Sequence, residues 1–334
     1  MKFSEYMNEW LYGEDGYYQN FKAIGRSGDF YTAVSTSSFF GASIANFIFK
    51  QINKGTIPRD AYLIEIGAHQ GYLICDMIQW LYSCDPTLIQ SMKFAIVERQ
   101  PKVQEAQKKY IYERFGEDVK VEFFASLSEI DVEYAFFISN EIFDAFACEL
   151  IKDGEMAIVK DDAIEWQKID EDVAKIANRY KQIKGEVAVG YEAFAQEIAN
   201  TAKRLDFMSF DYGEKYVRND FSIRIYKSHT TLPLFDEELS LKDEFKAADI
   251  TFDVNFEHVI DAFDDAGMQL VEYETQARAL VRFEIIEMLE MFAKQTTQKI
   301  YTREADKIKT LLAPTMMGDR FKMVHLQKGY TSFS

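Results

Sequence analysis

The sequence predicts an α/β protein built on an open, mainly parallel sheet, and three observations carry that prediction. Between residues 61 and 140, short apolar runs alternate with amphipathic stretches, as in successive βαβ units. The segment LIEIGAHQGYL at 63–73 reads as a strand ending in an acid, a glycine turn and the opening of a helix. Nucleotide cofactors sit on such turns because the bare backbone approaches closely and the helix presents N–H groups. Finally, 334 residues with 48% hydrophobic and 15% aromatic content can bury a large core, in one elaborated domain or two.

The elements follow in order. AYLIEI (61–66) is a continuous apolar strand, and YLICDMIQWLY (72–82) repeats apolar residues at helical spacing. KFAIVE (93–98) is the second strand, and Pro101 suits the first turn of the helix through KVQEAQKKYIYERF. VKVEFF (119–124) and YAFFIS (134–139) are two more strands. After residue 148 the pattern changes: Asp153-Gly154 between two apolar runs is a hairpin signature. Helices at roughly 171–183 and 191–204 precede a buried strand, LDFMSFDYG (205–213). NFEHVIDAFDDAG closes a helix on Gly267, MQLVEYE (268–274) is a sixth core strand, 276–312 reads as two helices, and FKMVHLQ (321–327) is the last strand. With no repeat or low-complexity linker, one domain with insertions is the preferred reading. It has an N-terminal cap segment over 1–60 and a core over 61–334, interrupted at about 148–204, 212–253 and 276–318.

A formal charge of −17 repels phosphate backbones and attracts cationic partners, which argues against nonspecific nucleic-acid binding. Cys75, Cys84 and Cys148 form no CxxC pair, and His69, His229, His258 and His325 no HxxxH pair, so no metal site is expected. The N-terminus MKFSEYMNEW lacks an apolar signal region and no window reaches membrane-spanning length. A cytoplasmic protein is expected.

Several residues point to chemistry. Gly67 and Gly71 space a GxxxG turn that serves either a cofactor or strand–helix packing. Glu98 ends the next strand, where an acid accepts hydrogen bonds from ribose hydroxyls or is simply solvated. Glu65 lies inside an apolar strand and must bond its own loop's N–H groups or a ligand. ISNEIFDAF sets Asn140, Glu141 and Asp144 after the fourth strand, as a polar site or as an N-cap with a short helix. His69 replaces a small residue, and we expect it to keep the turn at positive φ while narrowing the loop; an imidazole turned to solvent is the alternative.

As an ordered set, YY at 17–18, GDFYT at 28–32, FFG at 39–41, EIGAHQG at 65–71, VE at 97–98, ASL at 125–127, SNEIFDAF at 139–146, DYG at 211–213 and DITFDVNF at 249–256 resemble the S-adenosylmethionine-dependent methyltransferases of the MidA type. That is the family of the mitochondrial complex I assembly factor 7, a protein arginine methyltransferase. The resemblance implies a Rossmann-like class I methyltransferase sheet of seven strands, the last antiparallel, with helical and hairpin insertions. It implies that Phe30 and Thr32 close over S-adenosylmethionine and that Gly67, Ala68 and Gly71, with His69 in the same loop, line its methionine end. Glu98 would hold the ribose, Ser126 and Leu127 would lie near the adenine, and Asn140 and Glu141 would face the transferred methyl group, with Asp144 orienting the substrate. Two departures stand out: Ala68-His69 replaces the family's proline and glycine, and TAVSTS at 32–37 replaces TSPEIS, so Ser35 stands in place of an acid.

The sulfonium is already activated, so methyl transfer requires mainly alignment of the nucleophile. For an arginine, carboxylates that grip the guanidinium expose one nitrogen; Glu141 and Asp144 are available, with Asp211 in reserve. The function expected is methylation of an arginine in a partner protein, and the resemblance suggests a respiratory complex I subunit as that partner. A methyltransferase fold that has lost turnover and acts in assembly is the alternative, motivated by His69 and Ser35. A nicotinamide-dependent oxidoreductase is disfavoured because the loop lacks GxGxxG.

Overall fold

The computed structural model describes residues 1–19, 32–227 and 230–330. These fall into two compact units. One comprises 32–140, 195–211 and the chain from 263 onward; the other takes the described residues of 1–31, 141–194 and 212–262.

The first unit carries the main sheet. Its strands are β1 (Tyr62–Ile66), β2 (Lys93–Val97), β3 (Val121–Phe124) and β4 (Val132–Asn140). In the other unit follow β5 (Cys148–Lys152), β6 (Glu155–Lys160), β7 (Ala163–Lys168) and β8 (Lys184–Ala188). Next come β9 (Ala202–Glu214), β10 (Arg224–Lys227), β11 (Thr230–Pro233), β12 (Asp249–Thr251), β13 (Val254–Asn255), β14 (Gln269–Thr275) and β15 (Phe321–Lys328). The main sheet runs β14-β15-β9-β4-β1-β2-β3, with β13 joined to the far end of β9. β9, β4, β1, β2 and β3 are mutually parallel, and β15 is antiparallel to β14. This path holds the seven strands expected, and the last strand makes the antiparallel pair.

Strands buried on both faces explain the continuous apolar runs. Leu63, Ile96, Phe136, Ile138 and Met208 are all fully buried, packed with Ile44 and Ile48 of the helix Phe39–Asn53 and with Leu73, Met77 and Ile78 of the helix Tyr72–Cys84, and Ile64 is fully buried as well. Each such side chain contributes about 1.5–3 kcal/mol of burial.

In the second unit the hairpin predicted at Asp153-Gly154 joins β5 to β6, with φ values of +49° and +82° at its two turn residues. The strands are ordered β7-β6-β5-β8, and Val173 and Ala177 of the helix Glu171–Arg179 pack with Ile151, Met156 and Val187 of this sheet. A smaller sheet, β11-β10-β12, lies in the same unit. The helix Phe3–Tyr12 buries Phe3, Met7 and Trp10, whose Nε1 donates to the Ala248 carbonyl at 2.7 Å.

Three details differ from the sequence reading. The helix expected through 183 ends at Arg179, with Lys181 at φ +53°, and the chain then enters β8. β7, β10 and β11 are short and mostly exposed or half-buried, and the buried β12 has only three residues, so their alternation carries little signal. Residues 276–312 form three helices, Gln276–Arg282, Ile285–Ala293 and Gln298–Leu312. The first break falls at Glu284, where φ is +70°, a backbone value that no helix accommodates.

Candidate functional site

The parallel strands bring the ends of β1, β2, β3 and β4 to one edge of the main sheet. Ile66 lies opposite Val97 and Ser139, Val97 opposite Phe124, and Asn140 opposite Phe210. Gly67, Ala68, His69 and Gly71 after β1, Glu98 after β2, Ser126 and Leu127 after β3, Asn140 at the end of β4 and Asp211 late in β9 therefore share that edge. This is the side of a parallel sheet where ligands bind.

The loop after β1 is a tight turn closed by the Gly71 N–H on the Ala68 carbonyl at 2.6 Å. Gly67, His69 and Gly71 all take positive φ, at +70°, +45° and +78°. His69 thus keeps the turn in the left-handed region, as expected, at a cost of ~1–2 kcal/mol. Gly71 is the N-cap of the helix Tyr72–Cys84 and has no side chain to cap it. Glu65 supplies the missing acceptor: its Oε2 takes the N–H of Ile74, in the first helical turn, at 3.0 Å. The bond goes to the helix that follows the loop and not to the N–H groups of the loop itself, where it was expected. Burial pushes the Glu65 carboxyl up to about 8, against the pull of that N–H.

Glu98 is half-buried, and its Oε1 accepts the Gln100 N–H at 2.8 Å. Burial raises its pKa, opposed by that N–H and by the charge of Arg99. Ser126 caps the short turn Leu127–Glu129, with its Oγ 2.9 Å from the Ser128 hydroxyl, and Leu127 is buried. Asp211 is fully buried. Phe30 lies outside the described residues.

Thr32 begins the short helix Ala33–Thr36. Its Oγ1 accepts the Ser35 N–H at 3.1 Å while the Ser35 Oγ accepts the Thr32 N–H at 3.0 Å. In such a capping box the third residue is normally an acid. Ser35 makes that backbone bond itself, so the lost acid does not cost the turn its closure.

In the second unit Glu141, the residue after Asn140, stands at φ +54°. Asp144 is buried in the turn Phe143–Ala145 and accepts a hydrogen bond from the Tyr212 hydroxyl at 2.6 Å. Tyr212 also bonds the Thr251 hydroxyl, and the Arg224 guanidinium sits 5.1 Å from the Tyr212 ring centre. Burial pushes the Asp144 carboxyl up to about 6, opposed by the Tyr212 hydroxyl and the charge of Arg224. Arg224 is itself paired with Asp253. Gly213, next to Tyr212, is required by packing: a Cβ there would meet the Val254 carbonyl at 2.1 Å.

The comparisons with known proteins decide the family. The model of an S-adenosyl-L-methionine-dependent methyltransferase family, Methyltransf_28, matches residues 43–274. The chain belongs to this family. It is an S-adenosylmethionine-dependent methyltransferase. It is 23% identical to the protein arginine methyltransferase NDUFAF7 homolog, mitochondrial, of Drosophila melanogaster, over 98% of this chain and 81% of that protein. It is 26% identical to the protein arginine methyltransferase NDUFAF7, mitochondrial, of Bos taurus, over 42% of this chain and 36% of that one. Its fold matches a COG1565 superfamily member from Burkholderia thailandensis bound to S-adenosyl-homocysteine, with a TM-score of 0.83 and 21% identity over 99% of this chain and 89% of that one.

Some residues that the structure bonds to these candidates were not singled out in the sequence of this methyltransferase. Tyr212 lies within the DYG segment, but its bond to Asp144 spans 68 positions and left no local signal. The glutamines of the helix Pro101–Phe115, discussed below, read as ordinary polar helix positions. Among the described residues no cluster of His, Cys, Asp and Glu forms a metal site, and no helix is long and apolar enough to cross a membrane.

Proposed function

We propose that this methyltransferase binds S-adenosylmethionine at the shared edge of β1, β2 and β3 and transfers its methyl group to an arginine of a partner protein. The observation that carries the reading is the alignment of the Gly67–Gly71 turn with Glu98 on neighbouring parallel strands. The bent backbone and the helix it opens suit the methionine end. The Glu98 carboxylate suits the paired ribose hydroxyls, and Ser126 and Leu127 take the adenine side. The cofactor supplies an activated methyl group.

Glu141 and Asp144 take the guanidinium, with Asn140 beside the methyl group and Asp211 in support. An ionised Asp144 held by Tyr212 offers a fixed carboxylate, the geometry that localises arginine charge. The relatives in Drosophila melanogaster and Bos taurus are named protein arginine methyltransferases, which supports an arginine target, and the net charge of −17 suits a basic protein. The resemblance noted in the sequence points to a respiratory complex I subunit as the substrate. The competing reading is an assembly protein without turnover, motivated by His69 and by Ser35 in place of an acid.

Radiolabel transfer from methyl-labelled S-adenosylmethionine to proteins of a source-cell lysate tests the proposal. Wild type should label a partner on arginine, and Glu141→Gln and Asp144→Asn should bind the cofactor within a few fold yet label nothing. Wild-type labelling rates in both variants would remove those roles, and no labelling by wild type would favour the assembly reading.

A further inference from the structure

We infer that the helix Pro101–Phe115 is a strut that fixes both cofactor loops, with Gln107 a positioning residue for S-adenosylmethionine. The inference rests on the cofactor site proposed above. Gln107 is completely buried, and its Nε2 donates to the carbonyl of His69 at 2.9 Å. One turn earlier, Gln104 Nε2 donates to the carbonyl of Glu98 at 2.6 Å. Two amides on one helix, three positions apart, therefore hold one backbone carbonyl in each of the two loops that flank the ligand edge.

Packing alone does not explain Gln107. A buried amide is costly unless its groups are paired, and its Oε1 has no hydrogen-bond partner among the described residues. A methionine would fill the same space without that cost. What the amide provides is direction. His69 holds the strained φ of the turn, and a trans peptide is planar with its C=O and N–H pointing opposite ways. Drawing the His69 carbonyl onto Gln107 sends the Gln70 N–H to the other side of the loop, away from the helix. Without Gln107 the peptide loses this tether, and part of the loop must be ordered again each time the cofactor binds.

The two glutamines make different predictions, because Gln107 holds the loop assigned to the methionine end and Gln104 the loop assigned to the ribose. Calorimetric titration of the full chain with S-adenosylhomocysteine and with adenosine reads both. Gln107→Met should weaken S-adenosylhomocysteine binding about five- to tenfold, the equivalent of one hydrogen bond. It should leave adenosine binding unchanged and the melting temperature of the ligand-free protein unchanged or raised. Gln104→Met should weaken both ligands. A Gln107→Met protein that melts lower but binds S-adenosylhomocysteine normally, or that loses both ligands equally, would overturn the inference. If Gln107→Met does not fold, Gln107→Asn, one methylene too short for the bond, is held to the same two binding outcomes, weaker S-adenosylhomocysteine and unchanged adenosine, with no condition on its melting temperature. Glu98→Ala in the same titrations separates the two failures: if it leaves both affinities intact the pocket itself is misassigned, whereas if it weakens both while Gln107→Met changes nothing, only the strut is wrong.

Discussion

Glu65→Gln should make the ligand-free protein more stable relative to wild type as pH rises. In β1 Glu65 lies opposite Ile96 and Ile138 and is 3% exposed, with the Ile74 N–H as its bonded partner at 3.0 Å. Burial pushes its carboxyl from an ordinary 4.5 up to about 8. The folded protein therefore holds this proton to a higher pH than the unfolded chain does. The stability it lends is fully present below pH 4.5 and is lost as pH rises through about 8. At about 1.4 kcal/mol per pH unit the whole window is worth at most about 5 kcal/mol. Relaxation and water reaching the neighbouring loop reduce this, and about 2–4 kcal/mol is the expected change.

Glutamine keeps an oxygen for the Ile74 N–H and never ionises. Its second group, the amide NH2, needs a partner and sets a constant penalty of about 1–3 kcal/mol, so the slope of the comparison matters and not its offset. Urea unfolding of both proteins at pH 5, 6, 7, 8 and 9, without cofactor, gives the difference directly. A stability difference that stays flat across this range would refute the reasoning, because it would mean that the Glu65 carboxyl is already ionised at pH 5.

Glu98→Ala should weaken S-adenosylmethionine binding by about 1.5–3 kcal/mol, the range for bonds to a charged group; unchanged calorimetric affinity in a folded variant would reject the ribose assignment. Because burial moves the Asp144 carboxyl to about 6, methyl transfer should fall as pH drops through that value, and an initial-rate profile flat from pH 5 to 8 would exclude an ionised Asp144 from the reaction. His69→Gly should tighten S-adenosylmethionine binding and raise stability by ~1–2 kcal/mol as the left-handed strain is released; equal or weaker binding would show that the histidine is neutral or is itself a contact.

The centre of the main sheet was legible in the sequence because β1, β2, β4 and β9 carry largely buried apolar runs and β1 and β2 are each followed by a helix, whereas β14 is mostly exposed. The hairpin at Asp153-Gly154 and the cap at Gly267, with φ of +82°, were equally plain, since turn chemistry is local. β8 was hidden because KGEVA alternates over too few residues to compete with the helical pattern before it. At the site, Glu65, Glu98 and the glycine turn were readable from their positions at strand ends. Tyr212 and Gln107 were not, because each acts through a bond across many positions to a group whose sequence says nothing about its partner.

Glu141 offers a way to separate strain from chemistry. Most other non-glycine residues with positive φ are acids, Asn or Lys in turns, such as Asp153, Asp161, Asp162 and Asn219, where local turn geometry explains them. His69 and Glu141 differ: they follow the ends of β1 and β4, which pair with each other in the sheet. Strained residues at such positions are retained where the fold needs their side chains or backbone for function. Glu141→Ala removes the carboxylate and keeps the unfavourable φ, whereas Glu141→Gly removes both. The glycine variant should therefore be more stable than the alanine variant by ~1 kcal/mol, while neither transfers a methyl group. Equal stability would mean that φ of Glu141 costs nothing, and transfer by either variant would mean that its carboxylate does not touch the substrate. If glycine gains stability and both lose transfer, the residue holds an unfavourable backbone for the sake of its carboxylate, which an assembly protein without turnover has no reason to keep.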